Sequence, residues 1–224
     1  MKLGVLFSGG KDSCYALYKA SRKHEIACLL TINSENPNSY MYHTPNTKLT
    51  ELQAKSLGIP LLVGGTKGEK EKELEDLKEL IKKAKEEYSI QGIVTGAIQS
   101  VYQSSRIQKI CDELKLQCIN PLWQKDQIEL LNEIVREGFE VIITRVSAYP
   151  LGKDLLGKAI NQEIISRLKS YEEKYKINPA GEGGEIETFV VDMPLFRKRI
   201  EIKKAKKEYA DYDGFFIIEE AELK

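Results

Sequence analysis

Residues 8–13 read Ser-Gly-Gly-Lys-Asp-Ser, and no other stretch limits the fold as tightly. They follow the apolar run Leu3-Gly4-Val5-Leu6-Phe7, which predicts a buried parallel strand over 2–7. They precede Cys14-Tyr15-Ala16-Leu17-Tyr18, which predicts a helix over about 12–22. A strand, a glycine-rich turn and a helix start suit phosphate. Gly9 and Gly10 let the backbone turn sharply and approach an anion with no Cβ in the way. The N–H groups and the positive dipole end of the helix then face that anion. Ser8 and Ser13 add hydroxyl donors, and Lys11 adds a point charge. Asp12 would repel phosphate unless it orders the loop or helps hold a metal. The same six residues also read as a tight turn whose serines and glycines are incidental.

The rest of the chain continues the strand–helix rhythm. Residues 25–33 predict a second buried strand. A polar stretch follows, centred on Met41-Tyr42-His43-Thr44-Pro45-Asn46 and long enough to suggest a lid or binding loop. A helix over 47–57 stops at Gly58, and a strand over 59–63 is ended by Gly64-Gly65. An amphipathic, highly charged helix lies between Thr66 and Tyr88, its charges read as a solvated face. Strand four is expected over 93–98, a helix over 106–114, and strand five with its exit over 117–123. Five such repeats predict an α/β fold with a five-stranded, parallel, doubly wound sheet. Ligands in such sheets bind beyond the carboxyl ends of the strands, at the point where strand order reverses. That rule gathers the 8–13 loop, the 33–46 loop and the residues after Ile98 around one crevice.

After Trp123 the rhythm changes. A helix over 126–137, a strand over 139–146 and a mostly helical 155–175 precede a glycine-rich acidic stretch. A strand over 189–193 and two more around Asp211-Tyr212-Asp213-Gly214 complete a smaller α+β domain. The expected division is 1–124 and 125–224.

Charge and cysteine usage narrow the function. Lys and Arg number 34, as do Asp and Glu, so a general nucleic-acid or membrane-surface binder is not expected. Cys14, Cys28, Cys111 and Cys118 form no Cys-x-x-Cys pair, and Cys14, Cys28 and Cys118 read as buried free thiols. With no signal peptide and no long apolar run, a cytoplasmic protein is expected. Only His24 and His43 are present, so a histidine relay is disfavoured.

Two further stretches carry chemistry. Gly96-Ala97-Ile98-Gln99-Ser100-Val101-Tyr102-Gln103-Ser104-Ser105-Arg106 follows strand four. Small residues there permit close approach of a ligand, and Tyr102, Gln103 and Arg106 offer hydrogen bonds and a fixed cation. It reads equally as a polar loop capping a helix through Ser104 or Ser105. Glu182-Gly183-Gly184-Glu185 with Glu187 is a flexible acidic patch, suited to Mg²⁺ or to a cationic substrate group. The alternative there is an acidic turn feeding a strand.

The 8–13 loop after an N-terminal strand resembles that of the ATP pyrophosphatases, which cleave ATP between its α and β phosphates. Four more stretches join it in order. They are Met41 to Asn46, Gly96-Ala97-Ile98 with Tyr102-Gln103 and Arg106, Pro121-Leu122-Trp123, and Gly181 to Glu185 with Glu187-Thr188. Together they resemble the diphthine–ammonia ligase family over about residues 1–200. Residues 150–158 fit that pattern more loosely.

The resemblance implies that ATP and Mg²⁺ adenylate the carboxylate of diphthine, a modified histidine on translation elongation factor 2. Ammonia then forms the amide, and AMP and pyrophosphate leave. It implies nucleotide contacts at Ser8, Gly9, Gly10, Lys11, Asp12, Ser13, Asn33, His43 and Gly96, with Asp12 as metal ligand. Lys11, Asp12, Tyr102, Gln103 and Arg106 are the catalytic candidates. Tyr102, Gln103, Glu182, Gly183, Gly184, Glu185 and Glu187 are the substrate candidates, the three glutamates for the trimethylammonium of diphthine. Competing readings are another adenylating ligase or tRNA thiolase of the same superfamily, and a non-catalytic nucleotide sensor. The first calls for basic surface or catalytic cysteine. The second leaves Glu182 to Glu187 unexplained.

Overall fold

The computed structural model describes residues 1–34, 49–67 and 72–224, which divide into two compact units, Met1–Trp123 and Gln124–Lys224. In the first unit, β1 (Lys2–Leu6), β2 (Glu25–Ser34), β3 (Leu61–Thr66), β4 (Gly92–Val94) and β5 (Gln117–Ile119) form one sheet. Its order is β3-β2-β1-β4-β5, and every pairing is parallel. The chain therefore runs outward from β1 through β2 to β3, then returns to lay β4 on the other side of β1. The reversal point lies between β1 and β4, as the doubly wound expectation requires.

Helices α1 (Lys11–Ser21), α2 (Thr50–Leu57), α3 (Lys72–Tyr88) and α4 (Val101–Glu113) make the crossovers. Cys28, Leu30 and Ile32 of β2 and Ile93 of β4 join Leu77, Ile81 and Ala84 of α3 and Ile107, Ile110 and Cys111 of α4 in one buried cluster. Leu3, Val5 and Leu29, which alternate to the opposite face, are fully buried as well. A parallel sheet covered on both sides is the reason its strands read as continuous apolar runs. Cys118 is the exception among the expected buried thiols, being half-buried on the edge strand β5.

Several boundaries differ from the sequence reading, three of them at the end of the sheet that follows β1. Strand β3 does not stop at Gly64-Gly65, because Gly64, Gly65 and Thr66 pair with Ile32, Asn33 and Ser34. Strand β4 ends at Val94, so its exit begins at Thr95. Helix α4 starts at Val101, capped by Ser100 Oγ, which accepts from Gln103 N at 3.3 Å. Tyr102, Gln103 and Arg106 thus stand on the first two turns of a helix and not in a loop.

In the second unit, β6 (Glu140–Ser147), β7 (Ile186–Asp192), β8 (Ile200–Ala210) and β9 (Asp213–Leu223) form an antiparallel sheet in the order β7-β6-β9-β8. Helices α5 (Gln127–Arg136) and α6 (Gln162–Tyr175) pack on each other. Asp126 and Asn161 cap them, accepting from Glu129 N at 2.8 Å and Ile164 N at 2.9 Å. The 155–175 stretch is α-helical only from Gln162: a short 3-10 turn ends at Leu155, and Ala159 bridges to Ile142 of β6. No helix among the described residues is long and apolar enough to cross a membrane.

Ile93 is fully buried on a three-residue strand between β1 and β5. Ile93→Ala is expected to lower stability by about 2–5 kcal/mol, read as a fall in the urea midpoint with an unchanged slope.

Candidate functional site

Beyond β1 the chain turns at Ser8-Gly9-Gly10 and enters α1. Gly9 has φ +79°, and a Cβ there would lie 2.3 Å from Gln53 Oε1. Both the backbone angle and the space demand glycine. Gly10 is the N-cap of α1 and so brings no capping side chain to the orphan N–H groups of the first turn. Ser13 Oγ donates to Gly10 O at 3.1 Å and lies 3.2 Å from Ser8 Oγ, which accepts from Gly10 N at 3.4 Å. The two serines therefore brace the turn as well as offering hydroxyls beside it.

Lys11 is buried, at 2% exposure, and its Nζ donates to Asp12 Oδ2 at 2.8 Å. The expected free point charge is instead half of an ion pair. Asp12 in turn has one oxygen engaged, while its other, Oδ1, is buried with no hydrogen-bond partner among the described residues. An orphaned carboxylate oxygen beside a helix N-terminus suits a hard cation that accompanies phosphate. No group of three His, Cys, Asp or Glu that could hold a metal exists among the described residues. A cation here would therefore lean on Asp12, phosphate oxygens and water, which is the usual manner of Mg²⁺.

Gly96 meets this loop directly. A Cβ at 96 would lie 2.8 Å from the Asp12 carbonyl carbon and 2.9 Å from Ser13 N. The close approach that glycine permits is to the loop's own backbone. Thr95 Oγ1 donates to Asn120 Oδ1 at 2.6 Å and accepts from Ala97 N at 3.2 Å, fixing the exit of β4. On α4, the Arg106 guanidinium carbon sits 3.4 Å from the Tyr102 ring centroid, so the cation is held flat on an aromatic face. Asn33, at the end of β2, has its Oδ1 buried with no hydrogen-bond partner among the described residues. His43 and the stretch Met41–Asn46 lie outside the described residues.

The acidic stretch belongs to the second unit and is built differently from the sequence expectation. Glu185 accepts from Asn178 N at 3.1 Å, Asn178 Nδ2 at 2.6 Å and Gly183 N at 2.9 Å. Its carboxylate organises the loop from within. Glu187 lies in β7, where Arg145 of β6 donates to it at 3.2 Å. Gly181 and Gly184 have φ of +75° and +85°, and a Cβ at 181 would strike Ile186 O at 2.2 Å. Gln127 pins the base of the loop, donating to Asn178 Oδ1 at 3.1 Å and accepting from Ala180 N at 2.9 Å. This is a structured turn held by carboxylates, so Glu185 and Glu187 are not open to a cation in the way their spacing suggests.

Comparison with known proteins decides the family. The diphthamide synthase N-terminal domain model matches residues 1–118, and the C-terminal domain model matches 126–223. The chain belongs to the diphthamide synthase family. Diphthine–ammonia ligases of Rattus norvegicus and Danio rerio are 35% and 36% identical, over 96% of this chain and 88% and 91% of theirs. The Schizosaccharomyces pombe enzyme of that name is 38% identical over 89% of this chain and 36% of its own length. Among solved structures, a 4-thiouridine synthetase–RNA complex with bound ATP is 15% identical with TM-score 0.44, covering 85% of this chain and 55% of that one. A U34-tRNA thiolase from Methanococcus maripaludis is 15% identical with TM-score 0.40, covering 83% and 70%.

For a family so placed, the sequence reading overlooked two supports of the loop. Gln53 is fully buried on α2 and its Nε2 donates to Gly9 O at 2.9 Å. Thr31 Oγ1 donates to Phe7 O at 2.5 Å. Each satisfies a carbonyl at the turn, and neither belongs to a motif. Only a polar residue in an apolar strand, such as Thr31, leaves a trace in the sequence. Gly9→Ala is expected to lower the thermal midpoint through backbone strain and the clash with Gln53, at a cost of about 1–3 kcal/mol. An unchanged midpoint would contradict the loop geometry.

Proposed function

We propose that the chain is an ATP-dependent ligase that converts diphthine on translation elongation factor 2 to diphthamide, taking nitrogen from ammonia and releasing AMP and pyrophosphate. The observation that carries this reading is identity of 35% to diphthine–ammonia ligases along 96% of the chain, through both units. The loop geometry supports it independently. Adenylation needs the pyrophosphate end of ATP held in line and its charge offset as it leaves. Ser8 to Ser13 would hold those phosphates through the turn's N–H groups, the α1 dipole and the serine hydroxyls. Asp12 Oδ1 would hold Mg²⁺, which supplies electrostatic relief to the departing group when bound. Gly96 would act through the loop backbone against which it lies, as a positioning residue. Arg106, held flat by Tyr102, would meet negative charge on the acyl phosphate side, with Gln103 as a hydrogen-bonding neighbour. Asn33 and His43 remain candidates for the nucleoside.

Cys14 and Cys28 do not serve the thiolase reading. Burial pushes the Cys14 thiol far above its ordinary value, and the Cys28 thiol up to about 12. Neither is a nucleophile at neutral pH. Four free thiols also fit a reducing, cytoplasmic setting.

The test is AMP and pyrophosphate release by the purified protein with ATP, Mg²⁺ and ammonium, with and without diphthine-bearing elongation factor 2. Product formation should require the modified factor. AMP formation that depends on tRNA instead, or ATP binding without turnover, would overturn the reading. Asp12→Ala should lower kcat by about a hundred-fold or more while the circular dichroism spectrum stays native. Wild-type turnover in that variant would remove Asp12 from the site.

A further inference from the structure

Three exposed aromatic side chains of the second unit meet in one place. Tyr149, Tyr175 and Tyr212 are 55%, 43% and 44% exposed. The Tyr149 ring lies 5.1 Å from that of Tyr175 at 88° and 5.0 Å from that of Tyr212 at 80°. Edge-to-face contact of this kind holds rings upright against one another while leaving other ring faces in water. The cluster extends to Tyr171, 6.0 Å from Tyr175, and the Arg167 guanidinium already lies over the Tyr171 ring at 5.3 Å.

The backbone at Tyr212 adds a second observation. Asp211 and Tyr212 form the two-residue turn between β8 and β9, with φ of +49° and +63°. Glycine or asparagine is the ordinary occupant of such a turn. A bulky ring there is an outlier whose backbone costs stability. What that conformation achieves is contact with Tyr149.

The location is telling. Ser147 pairs with Asp213 across β6 and β9, and Ser147 N donates to Glu185 O at 2.8 Å. Tyr149 follows Ser147 by two residues, and Tyr212 precedes Asp213. The tyrosines and the 181–187 loop therefore occupy one end of the same sheet. Beside Tyr212, Asp211 is an exposed carboxylate, while Asp213 is paired with Arg145 at 3.4 Å.

We propose that Tyr149, Tyr175 and Tyr212 bind the quaternary trimethylammonium group of the substrate, an inference that rests on the diphthine reading. A quaternary ammonium has no N–H, so it gains nothing from the directed acceptors that a primary amine needs. Aromatic faces attract it through their quadrupoles and also cover its methyl groups. Of the carboxylates expected from sequence to serve it, Glu182, Glu185 and Glu187, the last two are engaged by Asn178, Gly183 and Arg145. At that end of the sheet the tyrosines present exposed ring faces, which the glutamates lack.

Choline and its uncharged carbon isostere 3,3-dimethylbutan-1-ol separate cation recognition from apolar contact. Choline should shift the tyrosine ring resonances of the intact protein and bind at least about ten-fold more tightly than the isostere. Equal binding of the two would overturn the proposal, and this comparison needs no variant. In the amidation assay, Tyr149→Leu with Tyr212→Leu should raise KM for diphthine-bearing elongation factor 2 by about ten-fold with little change in kcat or in KM for ATP. The Phe pair, which keeps the rings, should behave as wild type. An unchanged KM in a folded Leu pair would sink the tyrosine site and leave the ligase reading standing. Wild-type protein that forms no AMP with the modified factor would instead sink the ligase reading, whatever choline does.

Discussion

The contact between Gly96 and the peptide joining Asp12 to Ser13 is the constraint from which the first unit's candidate site follows. It exists because β4 returns to lie beside β1, so the exits of the two strands meet at the reversal of strand order. Any side chain at 96 would push the loop away by its backbone, which has no flexible end to yield. From the other direction Gln53 holds Gly9 O, and Thr31 holds Phe7 O. The turn is thus gripped by β2, β4 and α2. A loop gripped in this way keeps its N–H groups aimed without reorganising when an anion arrives, which is the condition for useful electrostatic stabilisation.

The charges of the loop behave as a unit and not as separate groups. Lys11 and Asp12 are 2.8 Å apart, with the lysine almost wholly buried. Seen from a phosphate several ångströms away, such a pair is a dipole, and its field falls off faster than that of a single charge. Attraction for a phosphate would therefore come mainly from the N–H groups and the helix dipole. This arrangement resolves the apparent conflict of an aspartate in an anion loop. Asp12 is paired on one oxygen with its neighbour, so it would add little repulsion, and its buried Oδ1, without a hydrogen-bond partner among the described residues, would suit a cation.

Much of this was legible in the sequence where the signal was local. The strand, turn and helix around 8–13 are contiguous, and the five-strand parallel sheet follows from the apolar runs and their spacing. The misses arise where the decisive partner is distant. Strand β3 continues through Gly64-Gly65 because β2 offers it carbonyls and N–H groups as far as Ser34, which glycine's weak strand propensity conceals. The start of α4 is hidden because Val101 is 69% exposed and the first turn has no apolar periodicity, leaving several serines as equal capping candidates. Glu185 and Glu187 read as an open acidic patch because their partners, Asn178 and Arg145, are separated from them by 7 and 42 residues. The tyrosine cluster draws on three elements, and no pattern in the chain announces it.

The source of the nitrogen can be argued from what the loop lacks. An enzyme that takes nitrogen from glutamine commonly forms a thioester, and so needs a thiolate of ordinary or depressed pKa. Cys14 is the thiol nearest in sequence to the phosphate loop. It is fully buried on the inner face of α1, and desolvation raises its pKa so far that the thiolate is inaccessible near neutrality. Cys28 and Cys111 lie within the hydrophobic cluster, and their pKa values are raised too, that of Cys28 by desolvation and that of Cys111 first by its hydrogen bond with Cys118 and then by desolvation. Cys118 alone is lowered, by a hydrogen bond from Cys111, but it sits on the edge strand of the sheet with that bond already made. No thiol is therefore poised for acyl transfer, and a nitrogen donor that attacks without a covalent enzyme intermediate is the chemistry these side chains allow. Ammonia, the donor in the relatives' name, meets that requirement.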